Sequence, residues 1–174
     1  MKGFGDQHKS KKKSNKKIKV SKEQLIEQAF KFHSQGDVSK AAKLYQHFIN
    51  QGFKDHRVFS NYAVILKNLG KSKEAELSYR KAIKIHPDFA EAHSNLGNIL
   101  RDLGKLKEAE ISTRKAIQLN PGFADAHSNL GNILSDLGKL EEAESSYRKA
   151  IQLNPDFADA HSNLGNILSD LGKL

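Results

Sequence analysis

The sequence predicts an all-α repeat protein, a solenoid of antiparallel helix pairs made of four and a half units of 34 residues. Three observations lead there. Pro87, Pro121 and Pro155, the whole proline content of the chain, lie 34 apart. Gly36, Gly70, Gly104, Gly138 and Gly172 keep the same interval, and the stretch HSNLGNIL recurs at 93–100, 127–134 and 161–168. A fixed period of this length marks architectures in which each repeat is one supersecondary unit that buries its apolar face only by stacking on its neighbours.

In phase with these markers the chain divides into a basic tail (1–21), a divergent first repeat (22–55), repeats at 56–89, 90–123 and 124–157, and a half repeat at 158–174 holding a first helix alone. The tail sets eight lysines against one aspartate. Its run KSKKKSNKKIK has the charge to bind nucleic acid or an acidic partner but lacks the interleaved aromatics that stack on bases, so a solubilising arm is the favoured reading. In the first repeat the glycine keeps phase while other residues have drifted, which suits a terminal cap. In later units, ADAHSNLGNILSDLG from Ala124 puts Ala126, Leu130, Ile133 and Leu137 on one helical face. Gly138 supplies the left-handed residue that ends many helices. The second helix, LEEAESSYRKAIQLN from Leu140, places Ala143, Tyr147, Ala150 and Ile151 together. Asn154 and Pro155 stop it, because the residue before proline is driven out of helical geometry. Asp88 with Glu91, and Asp156 with Asp159, suggest capping of the next first helix; Gly122 in place of the aspartate predicts a looser start there. Gly97, Gly131 and Gly165 sit inside helices, where glycine costs about 1 kcal/mol relative to alanine. A close approach of the paired helix, eased by the small Ala143 and Ala150, is the expected compensation.

Bulk properties narrow the function. The chain has 37% hydrophobic residues and no cysteine, which excludes disulfides and thiolate chemistry. No stretch has the length of a membrane span or the apolar core of a secretory signal, so a cytoplasmic protein is expected. The net charge of +9 is uneven: residues 22–89 carry twelve basic and seven acidic side chains, residues 90–174 nine and twelve. There is no phosphate-binding loop, zinc-protease helix or nucleophile elbow. A non-enzymatic chain with no cofactor and no metal is expected.

Leu130, Gly131, Leu134, Ala143, Tyr147, Ala150 and Pro155, with His127 at a bulky packing position, together resemble the tetratricopeptide repeat over residues 22–174. Thr113 departs from the aromatic held at Tyr79 and Tyr147, and Gln28, Phe48 and Phe53 depart in the first repeat. The resemblance implies a right-handed superhelix whose first helices line a concave face, and a protein-binding role.

On that face the polar residues form ladders. Asp125, Asn129, Asn132 and Asp136 share a stripe beside the apolar one. Stacking aligns Asn61, Asn95, Asn129 and Asn163 in one row, Asn98, Asn132 and Asn166 in another, and the acidic sets Glu91, Asp125 and Asp159, and Asp102, Asp136 and Asp170. A primary amide carries one acceptor oxygen and two N–H donors, which matches a peptide backbone. The pattern FADAHSNL is similar to the repeats of protein O-linked N-acetylglucosamine transferases. That similarity implies ligand contact by Asn61, Asn95, Asn129 and Asn163, with Asp125 and Asp159 favouring basic or hydroxyl side chains of a bound polypeptide. Asn61 weighs most, since its repeat has drifted to FSNYAVIL yet retains it; duplication alone accounts as well for the second asparagine row. Glu27 ends the ladder in the first repeat.

Two function classes follow: a scaffold that holds an extended polypeptide or partner helix, or the substrate-recognition arm of a glycosyltransferase-like enzyme. His93, His127 and His161 are expected to pack rather than bind metal, since equivalent residues on stacked helices lie about 8–10 Å apart, far more than two ligands of one zinc ion allow. A clamp for an acidic peptide terminus is disfavoured, because its positions hold Arg57, Glu91, Asp125 and Asp159. In the half repeat, Leu164, Leu168, Leu171 and Leu174 would meet no following helix, so self-association or a continuing array is expected.

Overall fold

The computed structural model describes residues 21–173, so apart from Ser21 the basic tail, with the partners expected of it, lies outside the described residues. Among the described residues nine helices follow one another: α1 (Lys22–Ser34), α2 (Val38–Asn50), α3 (His56–Asn68), α4 (Ser72–Ile85), α5 (Ala90–Asp102), α6 (Leu106–Leu119), α7 (Ala124–Asp136), α8 (Leu140–Leu153) and α9 (Ala158–Asp170). Each of α1, α3, α5 and α7 packs most extensively on the even-numbered helix that follows it, and each even-numbered helix packs less extensively on the next odd one. This is a helical solenoid. In addition α5 touches α7 and α7 touches α9, whereas no two even-numbered helices meet on that scale among the described residues. Crowding on one side and spreading on the other makes a curved stack, with odd-numbered helices inside.

The core is continuous across units. One cluster about Tyr79 and Leu100 takes residues from α3 to α7, a second surrounds Tyr45 and Phe48, and a third surrounds Tyr147 and Leu134. The predicted apolar faces are the buried ones: Ala126, Ile133, Ala143 and Ala150 are fully enclosed. Gly36, Gly70, Gly104, Gly138 and Gly172 each have φ between +64° and +76° just beyond an odd-numbered helix, where a side chain would be strained. In the lone α9, Leu164 and Leu171 are half-buried against the third cluster, and Leu174 lies outside the described residues.

Gly97 and Gly131 do mark a close approach, made by the residue at the aromatic position of the paired helix, Thr113 and Tyr147 respectively. A Cβ on Gly131 would stand 2.6 Å from the Tyr147 ring, and one on Gly97 would collide with the Thr113 hydroxyl. The alanines are not what fills the space. Around Gly165 a Cβ would meet nothing.

The expected aspartate caps are not formed. Phe89, Phe123 and Phe157 occupy the N-cap positions of α5, α7 and α9 with no side-chain cap, so Asp88 and Asp156 stand one residue too early. Gly122 therefore loosens nothing. Phe89 and Phe157 pack against core clusters, and apolar burial takes over the role of the cap. Side-chain capping is found instead in the divergent part, where Ser21, Asp37 and Asp55 cap α1, α2 and α3.

Successive units are also joined by ions. Glu76 accepts from Lys105 at 2.8 Å and Arg80 at 2.9 Å, and Arg80 reaches on to Glu108 at 2.7 Å. The set repeats at Glu110, Lys139, Arg114 and Glu142, and again at Glu144, Lys173 and Arg148. Lysine hydrogen bonding holds the Glu76 and Glu110 carboxyls below their ordinary range, against burial.

Candidate functional site

The inner wall is made by α3, α5, α7 and α9, and each contributes one first-row asparagine, Asn61, Asn95, Asn129 and Asn163, all half-buried. Three of the four are already engaged. Asn61 donates to the Tyr45 hydroxyl at 3.4 Å, Asn129 to the buried Ser94 hydroxyl at 3.1 Å, and Asn163 to Asn132 Oδ1 at 3.0 Å. Each bond runs back to the preceding unit and uses one of the two amide hydrogens, leaving the other and the carbonyl oxygen for a ligand. Asn95 makes no side-chain hydrogen bond among the described residues.

One member of the second row, Asn132, has a role inside the fold. Asn132 Oδ1 accepts from Tyr147 at 2.7 Å as well as from Asn163. Burial pushes the Tyr147 phenol up to about 12, so it remains a donor at neutral pH. These groups border a recess of about 180 Å³ shared with Arg101, Ser135, Asp136, Asn166 and Asp170.

Charge on this wall changes along the array. Lys67 pairs with Asp102 at 4.0 Å and Arg101 with Asp136, each across 35 residues. The next cation in that series would stand at 135, where there is serine. Asp170 therefore has no ion pair among the described residues, and neither have Asp125 and Asp159, both exposed in the first turns of α7 and α9. On this wall Asp102 and Asp136 are thus matched by cations, while Glu91, Asp125, Asp159 and Asp170 have no ion pair among the described residues. The 35-residue offset was readable in the sequence; its significance depended on knowing that both positions face the same wall.

Arg57, the one cation at the clamp positions, is held by Asp55 at 2.9 Å. The repeated histidines are neither core residues nor grouped: His93, His127 and His161 each donate Nε2–H to a proline carbonyl, of Pro87, Pro121 and Pro155, at 2.9, 3.1 and 2.8 Å. Packing was the expected role; the imidazole instead closes the turn between units. Phe59, its equivalent in the drifted repeat, is buried.

Profiles of the TPR repeat or tetratricopeptide repeat match at 65–104 and 131–172, at 90–123 and at 113–145. Together they span most of the chain, which belongs to the tetratricopeptide repeat family. No curated protein matches it in sequence. Among solved structures it is similar to MamA 41-end from Desulfovibrio magneticus RS-1, at 20% identity and a TM-score of 0.78 over 87% of this chain and 86% of that one. It is also similar to YrrB, a TPR protein with an unusual peptide-binding site, at 22% identity and 0.74 over 82% and 74%. A third likeness is the first TPR of Spaghetti (RPAP3) bound to the HSP90 peptide SRMEEVD, at 27% identity and 0.66 over 67% and 93%. The first two likenesses show the fold alone. No helix among the described residues is long and apolar enough to cross a membrane.

Proposed function

We propose that this chain is a protein-interaction scaffold whose inner wall holds an extended polypeptide bearing lysine or arginine side chains. The observation that carries the reading is the row of carboxylates without ion partners, Asp125, Asp159 and Asp170, beside amides that keep free hydrogen-bonding capacity. Extended backbone presents alternating N–H and C=O groups, which the Asn95 amide and the remaining valences of Asn129 and Asn163 complement. The carboxylates select the charge of the side chains between them. Binding, not catalysis, is the activity proposed. YrrB and the Spaghetti domain, which share the fold and bind peptides, support the class of ligand. The acidic peptide of the latter is not the ligand class proposed, because Asp55 already occupies Arg57 and the later clamp positions are acidic.

The test is fluorescence anisotropy with paired peptides that differ only in carrying lysine or glutamate at alternate positions. The lysine peptide should bind and the glutamate peptide should not. The double variant Asp125→Asn, Asp159→Asn should weaken the lysine peptide about tenfold and reduce the salt dependence; equal binding of both peptides would overturn the reading. A substrate-recognition arm of a glycosyltransferase is a second reading, favoured by the spacing of first-row asparagines along one wall. It predicts that binding tolerates any side-chain sequence and depends on Asn95 more than on the aspartates.

A further inference from the structure

The outer face of the solenoid carries a feature that the inner-wall reading leaves unused. Successive even-numbered helices stand apart, and between them lie grooves floored by the odd-numbered helix. The groove between α4 and α6 has a volume of about 620 Å³; Ile83 and Ile111 line its walls, and Leu96 and Leu100 of α5 its floor. Its neighbour, between α2 and α4, has about 560 Å³ and is lined by Ile49, Phe53, Phe59 and Ile85. Lys84 borders both grooves.

Two properties set this surface apart from scattered apolar exposure. Leu77 and Ile111 occupy equivalent positions on α4 and α6 and are 61% and 71% exposed. Both face outward where no unit of the stack covers them. The cations around the grooves are also uncommitted. Arg80 is matched by Glu76 and Glu108, but Lys54, Lys81, Lys84 and Lys115 join no ion pair among the described residues. Lys81 stands 5.7 Å over the Phe59 ring and Lys115 reaches only Gln118.

The third groove, between α6 and α8, shows that the fold does not require these features. There Ser145 takes the place of Ile111 and Gln118 that of Lys84. The third groove keeps Ile117, Leu130 and Lys149 but lacks the exposed isoleucine and the lysine shared between grooves, so both features together occur only from α2 to α6 among the described residues.

We propose that this outer face, from α2 to α6, docks an acidic amphipathic segment of another protein, with leucine, isoleucine or phenylalanine anchors in the grooves and glutamate or aspartate opposite the lysines. The chain's own residues 1–20 are the wrong occupant, since eight lysines against one aspartate would be repelled. Recessed floors such as Leu100, 1% exposed, favour inserted side chains over a flat bilayer. Apolar anchors buried in pockets with charged rims are the usual division of labour at protein interfaces.

The neighbouring units supply substitutions already compatible with the fold. Ile111→Ser and Lys84→Gln reproduce the α6/α8 groove and should leave the melting temperature unchanged. The probe is a labelled helical peptide with leucines on one face and glutamates on the other, measured by anisotropy. The wild type should bind it, the double variant at least about tenfold more weakly, and the Asp125→Asn, Asp159→Asn variant as well as wild type. This last arm separates the outer face from the inner wall. Equal binding by the Ile111→Ser, Lys84→Gln variant, equal binding of a peptide with lysine in place of glutamate, or association only with phosphatidylserine vesicles would overturn the proposal.

Discussion

At the scale of single residues, Thr113 is the departure with the clearest cost. It stands where Tyr79 and Tyr147 stand in the flanking units, is fully buried, and its hydroxyl is the one buried side-chain polar atom without a partner among the described residues. A buried hydroxyl without a hydrogen bond costs about 1–3 kcal/mol. Thr113→Val keeps the shape and removes the orphan, so thermal unfolding should show a gain of about 1 kcal/mol. Thr113→Tyr should also stabilise, because Gly97 offers the space that Gly131 offers Tyr147 and Asn98 is the equivalent of the Asn132 that Tyr147 bonds. The asparagine row is likewise unequal. Asn129→Ala removes the bond to buried Ser94 and should cost about 1 kcal/mol of stability. Asn95→Ala removes no internal bond and should leave stability unchanged while weakening the inner-wall peptide, which makes it the cleaner probe. Denaturant titration beside anisotropy distinguishes the two.

Helices and their junctions are held by means that differ along the chain. Junctions between later units combine core aromatics, a histidine-to-proline bond and a glutamate bridging two cations, none of which depends on a capping side chain. Replacing Glu110 by Gln should cost about 1 kcal/mol, since its partners Arg114 and Lys139 are nearly half exposed and solvent screens them. Because Glu76 and Glu110 ionise below the ordinary value of 4.5 in the folded chain, their contribution is present above that pH. It is lost as the pH falls through the lowered folded values. Melting temperature should therefore decline on acidification below about pH 4.5, less steeply in the Glu110→Gln variant. The α3/α5 junction is different. There His56 meets His86 edge-on at 4.6 Å and Phe89 at 5.0 Å. Burial, with His86 and Arg57 nearby and Asp55 opposing, lowers its pKa below 6.5. A base with a depressed folded pKa favours folding at high pH, so this junction should weaken as pH falls below 6.5 towards the folded value. His56→Phe should flatten that segment of the stability profile, measured by calorimetry between pH 5 and 8.

Over the whole molecule, charge and apolar exposure are distributed along the solenoid rather than clustered at one cavity. The first half presents lysines and apolar grooves outward, and the second half presents unpaired carboxylates inward. The two faces are therefore suited to partners of opposite charge. Raising ionic strength should weaken both interactions, because all the cations and carboxylates named lie at the surface. Loss of one interaction in a variant should leave the other intact, since the inner carboxylates and the outer grooves share no residue and lie on opposite layers.

The period of 34, the helix pairs, their buried faces and the turn glycines follow from the sequence by itself. Those features are local or strictly repeated, and each repeats the same spacing of apolar residues. The sequence also located the polar stripe that includes Asn95 and Asp125. It could not decide what the stripe is free to do. Whether Asn129 meets a ligand or Ser94, whether Asp136 is open or taken by Arg101, and whether Phe89 or Asp88 starts a helix all depend on side chains 34 or 35 residues away or on the core beneath. Stacking geometry sets those distances. The outer grooves belong wholly to the tertiary structure, because they lie between helices of successive units and are empty space that no single repeat encloses.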